Sequence, residues 1–306
     1  MIDIISQAIE AASASLPKMG CRLGEPMKNH TSFKIGGPVR AMFFPENGEE
    51  LAQLCSVLQG FMIEPLIMGN GTNLLVDDKP LELIAIKTTR FCSIERKGET
   101  DIIAGAGVLL SKLAVFAYEC ELTGLEFAHG IPGTLGGGVT MNAGAYDGEM
   151  KDIIRTTTAY SSKNRKYTVT GEEHDFSYRR SVFHGTGDVV LSSVISLRKA
   201  DKESIKAKMN ELDTRRREKQ PLELPSAGST FKRPKGGYAA ALIEQAGMKG
   251  YTVGGAQVSE KHSGFVVNRG GASFADVITV IEHIRETVLK QFGVELELEI
   301  KIIKAD

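Results

Sequence analysis

The most glycine-rich stretch of the chain is Gly130-Ile131-Pro132-Gly133-Thr134-Leu135-Gly136-Gly137-Gly138, which continues to Met141-Asn142-Ala143-Gly144-Ala145-Tyr146. Five glycines in nine residues cost backbone entropy on folding, so the main chain must approach a ligand or another element closely here. A loop that binds a bulky ligand and a buried loop of small residues under a sheet fit this composition equally well. The stretch lacks the dinucleotide fingerprint G-x-G-x-x-G, and no G-K-[ST] phosphate loop occurs in the chain.

The composition is typical of a soluble globular protein with two or three domains. The chain has 306 residues, of which 42% are hydrophobic and 25% charged, whereas domains usually run about 100 to 200 residues. Its 37 basic and 38 acidic residues leave a net charge of -1, so no charge pattern for nucleic acid or an anionic membrane stands out. A small-molecule ligand is therefore expected, and no protein partner is indicated.

The sequence shows no signal for secretion, membrane insertion or metal binding, which predicts a cytoplasmic protein without a metal site. Residues 127–146 lack Asp, Glu, Lys and Arg, but their six glycines and one proline argue against a membrane helix. Residues 1–16 contain Asp3 and Glu10 and have no basic leader before an apolar run, unlike a secretory signal. The four cysteines form no C-x-x-C pair, which predicts reduced thiols and no zinc site.

Apolar periodicity predicts an α+β arrangement in the first two thirds of the chain. Helices are expected over residues 4–16 and 49–58, and from Ser111, whose hydroxyl would cap the third helix. Strands are expected at 39–44, 66–68, 73–76, 83–86, 102–104, 153–160, 166–169 and 189–197.

At residues 199–201 the pattern changes from that of a strand to the periodicity of a helix. We place a domain boundary there, before the last third of the chain. Helices are expected from Ile205 until Pro221, over 238–246, and after Ser273 as the N-cap. A strand is expected at 264–268. Apolar residues alternate with Glu and Lys over residues 294–302, which predicts a final strand with one buried face.

Three further segments could carry chemistry, although each also has a simpler explanation. Gly69-Asn70-Gly71-Thr72-Asn73 would offer backbone amides to an anion, but N-G is also a signal for a tight turn between strands. Tyr178-Arg179-Arg180-Ser181-Val182-Phe183 holds two guanidinium groups suited to a carboxylate or phosphate, but surface arginines are common. Ala227-Gly228-Ser229-Thr230-Phe231-Lys232-Arg233-Pro234 places a hydroxyl in a basic loop, or forms an ordinary turn.

Taken together, these segments resemble one family, the UDP-N-acetylenolpyruvoylglucosamine reductases, which are flavoenzymes of bacterial cell-wall precursor synthesis. The resemblance also covers Asn29-His30-Thr31-Ser32-Phe33-Lys34-Ile35-Gly36-Gly37 and Gly254-Gly255-Ala256-Gln257-Val258-Ser259. Its motifs run in order from residue 29 to residue 301. Several ordered motifs are far more specific than any single glycine loop.

The resemblance implies a vanillyl-alcohol-oxidase-like FAD-binding fold of two α+β subdomains, at residues 1–88 and 89–199. A C-terminal α+β substrate-binding domain would follow at residues 200–306, with the final strand returning toward the active site. By the same resemblance, two loops would bind the FAD pyrophosphate, with Gly144 close to the isoalloxazine ring. Their residues are Gly69, Asn70, Gly71, Thr72, Asn73, Gly133, Thr134, Gly136, Gly137 and Asn142.

The reaction that the resemblance implies is NADPH-dependent reduction, through FAD, of UDP-N-acetylglucosamine enolpyruvate to UDP-N-acetylmuramate. Arg179 would bind the substrate carboxylate and stabilise the charge that develops beside it. Ser229 would deliver a proton to the adjacent carbon, with help from a basic neighbour such as Lys232. Glu299 would assist if its pKa were raised enough to keep a proton.

Contacts to the UDP diphosphate or to the substrate carboxylate are expected from Lys219, Arg233 and Lys301. The segment between Arg179 and Ser229 is too short for the tyrosine-loop insertion found in one branch of the family. The resemblance therefore places the chain in the branch that lacks this insertion.

Two alternatives stay open at this point. One is an FAD oxidase of the same fold class, which would pass electrons to oxygen from a different alcohol substrate. Such enzymes often hold the flavin covalently through histidine or cysteine, but nothing in the sequence selects His30 or His129 for this role. The other is a non-catalytic nucleotide or flavin sensor that keeps the binding loops.

Overall fold

A computed structural model describes residues 3–161 and 165–305 of the chain. The helices are α1 (Ile4–Ser15), α2 (Gly48–Gly60), α3 (Leu110–Glu119), α4 (Leu135–Thr140), α5 (Lys202–Lys219), α6 (Ala239–Gln245) and α7 (Phe274–Phe292). The strands are β1 (Gly20–Leu23), β2 (Val39–Phe44), β3 (Leu66–Met68), β4 (Leu74–Val76), β5 (Leu81–Lys87), β6 (Ile94–Lys97), β7 (Asp101–Gly105), β8 (Leu122–Thr123), β9 (Gly144–Ala145), β10 (Gly148–Glu149), β11 (Ile154–Ser161), β12 (Arg165–Thr170), β13 (Val189–Ser196), β14 (Arg198–Lys199), β15 (Thr252–Val253), β16 (Ala256–Val258), β17 (Val266–Asn268) and β18 (Lys301–Ile303).

Polar side chains begin several of these helices, and Ser273 does so as predicted. The Asp3 carboxylate accepts a hydrogen bond from the Ser6 amide at the start of α1, and Asn47 accepts two from the first turn of α2. Ser273 and Asp276 form a reciprocal capping box at α7. These contacts satisfy amides that have no partner inside the helix.

Two compact units make up the structure, and each draws on several stretches of chain. The first consists of the described parts of Met1–Gly24, Arg40–Asn70 and Leu83–Arg215. Its five-stranded sheet has the order β12-β11-β13-β7-β6 with antiparallel neighbours. A second sheet has the order β1-β2-β5-β3, in which β3 runs parallel to β5. Buried apolar side chains of α1 to α3 pack with those of both sheets in one core.

The second unit consists of the described parts of Glu25–Val39, Gly71–Glu82 and Arg216–Asp306. Strands β15, β16 and β17 form an antiparallel sheet, and β18 pairs in parallel with β4. The inward stripe of α7 packs in one core with Phe33 and Ile35. Residues 25–39 and 71–82 therefore share a core with residues that follow 216, and the three consecutive domains stay a prediction.

Two predicted features are wrong. Ser111 does not cap α3, because the helix already begins at Leu110 and its N-cap residue, Leu109, provides no side-chain hydrogen bond. The predicted final strand over residues 294–302 is a strand only at β18. Its earlier residues keep the alternation, with Leu296 and Ile300 buried, but they bond to an irregular segment through Lys232 and Thr230 rather than to a regular strand.

The other predicted helices and strands are confirmed to within a few residues at each end. The sequence did not predict α4 or the short strands β1, β6, β8, β9, β10, β14, β15 and β16. No helix in the described ranges, 3–161 and 165–305, combines the length and the hydropathy of a membrane span.

Candidate functional site

Within the first unit, the two predicted loops contact each other directly. The Asn70 side-chain amide donates a hydrogen bond to the Pro132 carbonyl oxygen at 2.8 Å. At Gly69, an added Cβ atom would lie 2.2 Å from the Thr134 hydroxyl oxygen. Only glycine fits at residue 69, so the sequence allows the two backbones to approach closely.

The Thr134 hydroxyl lies at this contact. Thr134 is 2% or less exposed, and its Oγ1 atom has no hydrogen-bond partner among the described residues. Leaving a buried hydroxyl unsatisfied costs about 1–3 kcal/mol. A phosphate oxygen would accept a hydrogen bond from the Thr134 hydroxyl, so the residues present here fit the diphosphate of FAD.

Other polar groups of the glycine-rich segment are used within the protein. The Leu135 and Gly136 amides donate to the Val108 and Ala106 carbonyl oxygens, each at 2.8 Å, and the Gly133 carbonyl accepts from the Leu110 amide. These two amides are therefore not available to a cofactor. Gly137, in contrast, is exposed.

Asn142 is fully buried and is held by two other segments of the first unit, around Glu149 to Lys151 and at Ser177. Its Nδ2 atom donates to Glu149 Oε2 at 2.6 Å and to the Ser177 carbonyl oxygen at 3.0 Å. Its Oδ1 atom accepts from the Lys151 amide at 2.9 Å. These bonds engage the side chain, whereas the resemblance implies a cofactor contact through backbone amides of this loop. The Asn142 amide itself donates to the Val139 carbonyl oxygen at 3.2 Å, and the cofactor contact stays a prediction. Gly144 pairs with Glu149 in the β9–β10 hairpin.

Arg179 is the third residue of a tight turn from Ser177 to Arg180. The amides and carbonyls of these two residues bond to each other at 3.0 and 3.2 Å. Arg179 has a φ of 58°, a left-handed conformation that costs a side chain with a Cβ roughly 1–2 kcal/mol. Its guanidinium carbon lies 5.0 Å from the centre of the Tyr178 ring. Arg180 is exposed.

The second unit holds the other part of the first loop, Gly71 to Asn73. The Asn73 side-chain amide donates to the Glu299 carbonyl oxygen at 3.1 Å, and the Lys301 amide donates to the Asn73 carbonyl at 2.9 Å. The Gly71 carbonyl accepts from the Ser32 amide, and Thr72 is half-buried. Asn73 therefore connects this loop to the segment that carries Glu299 and Lys301.

The structure brings Ser229 and Glu299 onto neighbouring segments. The Glu299 amide donates to the carbonyl of Thr230, the residue after Ser229, at 2.9 Å. Thr230 is itself fixed, because its amide donates to Gly264 and its hydroxyl accepts from the Val266 amide. Ser229 and Glu299 are both half-buried, so two of the predicted catalytic residues have defined backbone positions and partly accessible side chains.

The predicted cationic contacts of the second unit lie near its surface. Arg233 stacks over the exposed Tyr238 ring, with 4.4 Å between its guanidinium carbon and the ring centre. Lys219 and Lys301 are exposed. The Lys232 ammonium lies 3.2 Å from Glu297 Oε2 in an exposed ion pair, so its predicted help to Ser229 stays a prediction.

One buried histidine lies in the chain before the Arg179 turn. The Nδ1 atom of His174 is 2.9 Å from the Gly171 carbonyl oxygen, and its Nε2 atom is 2.9 Å from Thr157 Oγ1. Because a carbonyl only accepts, Nδ1 is the protonated nitrogen and the neutral ring satisfies both contacts. Burial lowers the pKa of His174 below its ordinary value of 6.5.

Sequence reasoning missed the groups that hold the Arg179 turn. One is the Asn142 side-chain amide, which donates to the Ser177 carbonyl. The other is the Thr140 carbonyl, which accepts from the Ser181 hydroxyl. A polar residue inside a glycine-rich stretch was the one available signal. No group of three or more His, Cys, Asp and Glu side chains that could hold a metal occurs in the described part of the chain.

Two family models match the chain. Residues 39–160 match an FAD binding domain, and residues 220–303 match the C-terminal domain of UDP-N-acetylenolpyruvoylglucosamine reductase. The first model contains the loop at Gly69 and the glycine-rich segment. The second contains Ser229 and Glu299.

Curated relatives cover nearly the whole chain. A UDP-N-acetylenolpyruvoylglucosamine reductase from Caldanaerobacter subterraneus subsp. tengcongensis is 51% identical over 92% of this chain and 93% of its own length. A protein of the same name from Agathobacter rectalis is 46% identical over 96% of this chain and 98% of its own length.

Solved structures agree with the sequence relatives. The crystal structure of the UDP-N-acetylenolpyruvylglucosamine reductase from Thermus caldophilus superposes with a TM-score of 0.79 at 33% identity, covering 94% of this chain and 99% of that one. The Bermuda grass isoallergen BG60 has a TM-score of 0.51 at 12% identity, covering 63% of this chain and 44% of that one, which concerns the fold alone. The predicted α+β fold with an FAD-binding domain is confirmed.

Proposed function

Because the chain belongs to the UDP-N-acetylenolpyruvoylglucosamine reductase family, we propose that it reduces UDP-N-acetylglucosamine enolpyruvate to UDP-N-acetylmuramate with NADPH as the reductant. The chain is an FAD-dependent oxidoreductase of peptidoglycan precursor synthesis. The observation that carries the proposed chemistry is the pairing of the Ser229 and Glu299 segments through the Thr230 carbonyl. A cytoplasmic location stays a prediction.

When bound, FAD supplies the means to accept a hydride from NADPH and to pass it to the vinyl carbon of the substrate. The chain would hold it with Gly69, Asn70, Gly71, Thr72, Asn73, Gly133, Thr134, Gly137 and Gly144. We assign the Thr134 hydroxyl to a phosphate oxygen, since this buried group otherwise lacks a partner among the described residues. Gly136 contributes by close packing, because an added Cβ atom would lie 2.9 Å from that of Ala106.

Arg179 would bind the substrate carboxylate. A guanidinium group presents two parallel donors that match the two oxygens of a carboxylate. When hydride reaches the neighbouring vinyl carbon, electron density moves toward this carboxylate. A cation fixed in advance stabilises that charge without reorganisation, and the tight turn with its Tyr178 contact provides such fixation.

Ser229 would deliver the proton that completes the reduction. Its hydroxyl would transfer a proton to the carbon that carries the carboxylate, and it would regain one from water or from a neighbouring acid. An ordinary serine is a weak acid, so a second group must support the transfer. Glu299 is our candidate, because its backbone is bonded on one side to Thr230 and on the other to Asn73.

The UDP diphosphate needs cations outside the reacting centre. We assign Lys219, Arg233 and Lys301 to it or to the substrate carboxylate. The stacking of Arg233 on Tyr238 would hold this guanidinium in place for a contact to a phosphate oxygen.

Anaerobic stopped-flow spectroscopy of the flavin tests this function. NADPH should bleach the flavin absorbance, and only UDP-N-acetylglucosamine enolpyruvate should restore it. Ser229→Ala should keep the first step and slow the second by roughly 10²- to 10⁴-fold. Ser226→Ala is the matched control, because this hydroxyl lies in the same loop and accepts a long 3.4 Å bond from the Gly228 amide.

Three results would contradict the proposal. A protein that cannot be reconstituted with FAD would exclude a flavoenzyme, and a yellow protein that only oxygen re-oxidises would indicate the oxidase. A flavin that binds but is never reduced would indicate the sensor. An unchanged second step in Ser229→Ala would remove the proton-donor role from Ser229 alone.

A further inference from the structure

Asn142 has no side-chain donor left for a ligand. Both hydrogens of its amide group are used, one by the Glu149 carboxylate and one by the Ser177 carbonyl, and its oxygen accepts from the Lys151 amide. The residue is fully buried and has a φ of 42°, a conformation that asparagine tolerates better than most residues. Its three bonds connect three parts of the first unit.

The Ser177 carbonyl is the functional end of this arrangement. It closes the tight turn by accepting from the Arg180 amide at 3.2 Å, and it accepts from Asn142 on the same oxygen. Arg179 lies inside this turn with a φ of 58°. A residue held in a sparsely populated conformation persists only where its surroundings fix it.

A second bond holds the chain just after the turn. The buried Ser181 hydroxyl donates to the Thr140 carbonyl at 2.9 Å. Thr140 ends α4, and Asn142 follows it by two residues. The glycine-rich segment therefore bonds to the chain at the start of the arginine turn, at Ser177, and just after it, at Ser181. Asn142 makes the bond to the turn itself.

We propose that Asn142 is a positioning residue for Arg179. Its bond to the Ser177 carbonyl fixes the turn that contains Arg179 to the glycine-rich segment. This inference rests on the proposed function of Arg179 as the group that binds the substrate carboxylate. It concerns the side chain of Asn142, and the cofactor contact that the resemblance implies for the backbone of this loop stays a separate prediction. A displacement of a binding group by about 1 Å can cost roughly 100-fold in rate, so a bond to the base of the turn has a direct effect on turnover.

The variant that tests the inference is Asn142→Asp. The substitution keeps the size and the acceptor oxygen, but it removes both donors and places a carboxylate beside Glu149 and the Ser177 carbonyl. We expect the dissociation constant of UDP-N-acetylglucosamine enolpyruvate, measured by flavin spectral perturbation, to rise about 10- to 100-fold. The FAD affinity and the rate of flavin reduction by NADPH should stay within about threefold of the wild type.

A second variant separates repulsion and unfolding from positioning. In Asn142→Asp combined with Glu149→Gln, the introduced glutamine donates to the introduced carboxylate, and the bond to Ser177 stays missing. Glu149→Gln alone, which also removes the charge of the Lys151 ion pair, is the matched control. The melting temperature should recover in this protein, whereas the weak substrate binding should persist. If substrate binding recovers together with the melting temperature, Asn142 is a structural residue and the inference is overturned.

A double-mutant cycle with Arg179→Met completes the test. Once the guanidinium is gone, Asn142→Asp should add less than about threefold to the loss of substrate affinity, because coupled residues do not act additively. Fully additive losses, or an equal loss of FAD affinity, would overturn the inference. If Arg179→Met alone leaves substrate affinity and flavin re-oxidation unchanged, the proposed function of Arg179 fails instead.

Discussion

Gly69 shows how a single missing side chain controls a contact between two loops. We predict that Gly69→Ala lowers the free energy of unfolding by about 1–3 kcal/mol, because the new Cβ atom would lie 2.2 Å from Thr134 Oγ1. Gly60→Ala is the control, since it ends α2 and has no atom within 4 Å of an added Cβ. Urea denaturation should show that change as neutral or stabilising. Equal stabilities of the two variants would contradict the loop contact.

The Thr134 hydroxyl leads to a prediction with opposite signs for two measurements. Thr134→Val removes a buried group without a partner among the described residues, so the protein without FAD should be as stable as the wild type or more stable. The FAD affinity should fall about 10- to 100-fold, because a hydrogen bond to a charged phosphate is lost. Thr134→Ser, which keeps the hydroxyl, should bind FAD normally in fluorescence titrations. A normal affinity in the valine variant would show that the hydroxyl does not face the phosphate.

At this scale the sequence identified residue types but not their partners. Asn142 is recognisable as a polar residue between glycines, and its resemblance to a family motif suggested a cofactor contact. Its actual partner Ser177 lies 35 residues away, and no periodicity or spacing connects the two. Arg179, in contrast, is selected by the resemblance to a family motif, and its role stays a prediction. Its left-handed conformation has no signal in the residue type.

Among the elements, α7 has the most complete set of end signals. Ser273 Oγ accepts from the Asp276 amide at 3.1 Å, and the Asp276 carboxylate accepts from the Ser273 amide at 2.9 Å. We predict that Ser273→Ala lowers the free energy of unfolding by about 1 kcal/mol. Thr279→Ala, at an exposed site within the same helix, should change it by less than about 0.5 kcal/mol. Equal losses in urea denaturation would show that the cap contributes no more than an exposed helix position.

Elements with local signals were predictable, whereas those defined by distant partners were not. The strand at Val39–Phe44 and the helix after Ser273 match their predictions because periodicity and caps are local. The segment at 294–300 has the alternation of a strand, and its buried face is as expected. Whether it becomes a regular strand depends on its neighbour, and the residues around Thr230 offer only a few backbone bonds.

For the molecule as a whole, two histidines with a lowered pKa, the buried His174 and the half-buried His262, predict how stability depends on pH. Burial lowers the pKa of both His174 and His262 from the ordinary value of 6.5. The unfolded chain therefore binds more protons than the folded one as the pH falls below about 6.5, and stability decreases on acidification. We predict a lower melting temperature at pH 5.5 than at pH 7.5 in scanning calorimetry.

Substitution of His174 gives the control for this pH dependence. His174→Gln should melt lower than the wild type at pH 7.5, because two buried hydrogen bonds are disturbed. Its melting temperature should change less between pH 7.5 and 5.5, since one of the two histidines with a lowered pKa is gone. An unaltered pH slope would assign the effect to other groups.

The interleaving of the two units has a consequence for synthesis on the ribosome. Phe33 and Ile35 belong to a core whose other members include α7, and Asn73 bonds to Glu299, 226 residues later in the chain. At about 5–20 residues per second, these early segments leave the exit tunnel roughly 10 to 45 seconds before their partners exist. During that interval the nascent polypeptide exposes Phe33 and Ile35, which are buried in the folded protein. Exposed apolar side chains of this kind are what cotranslational chaperones bind.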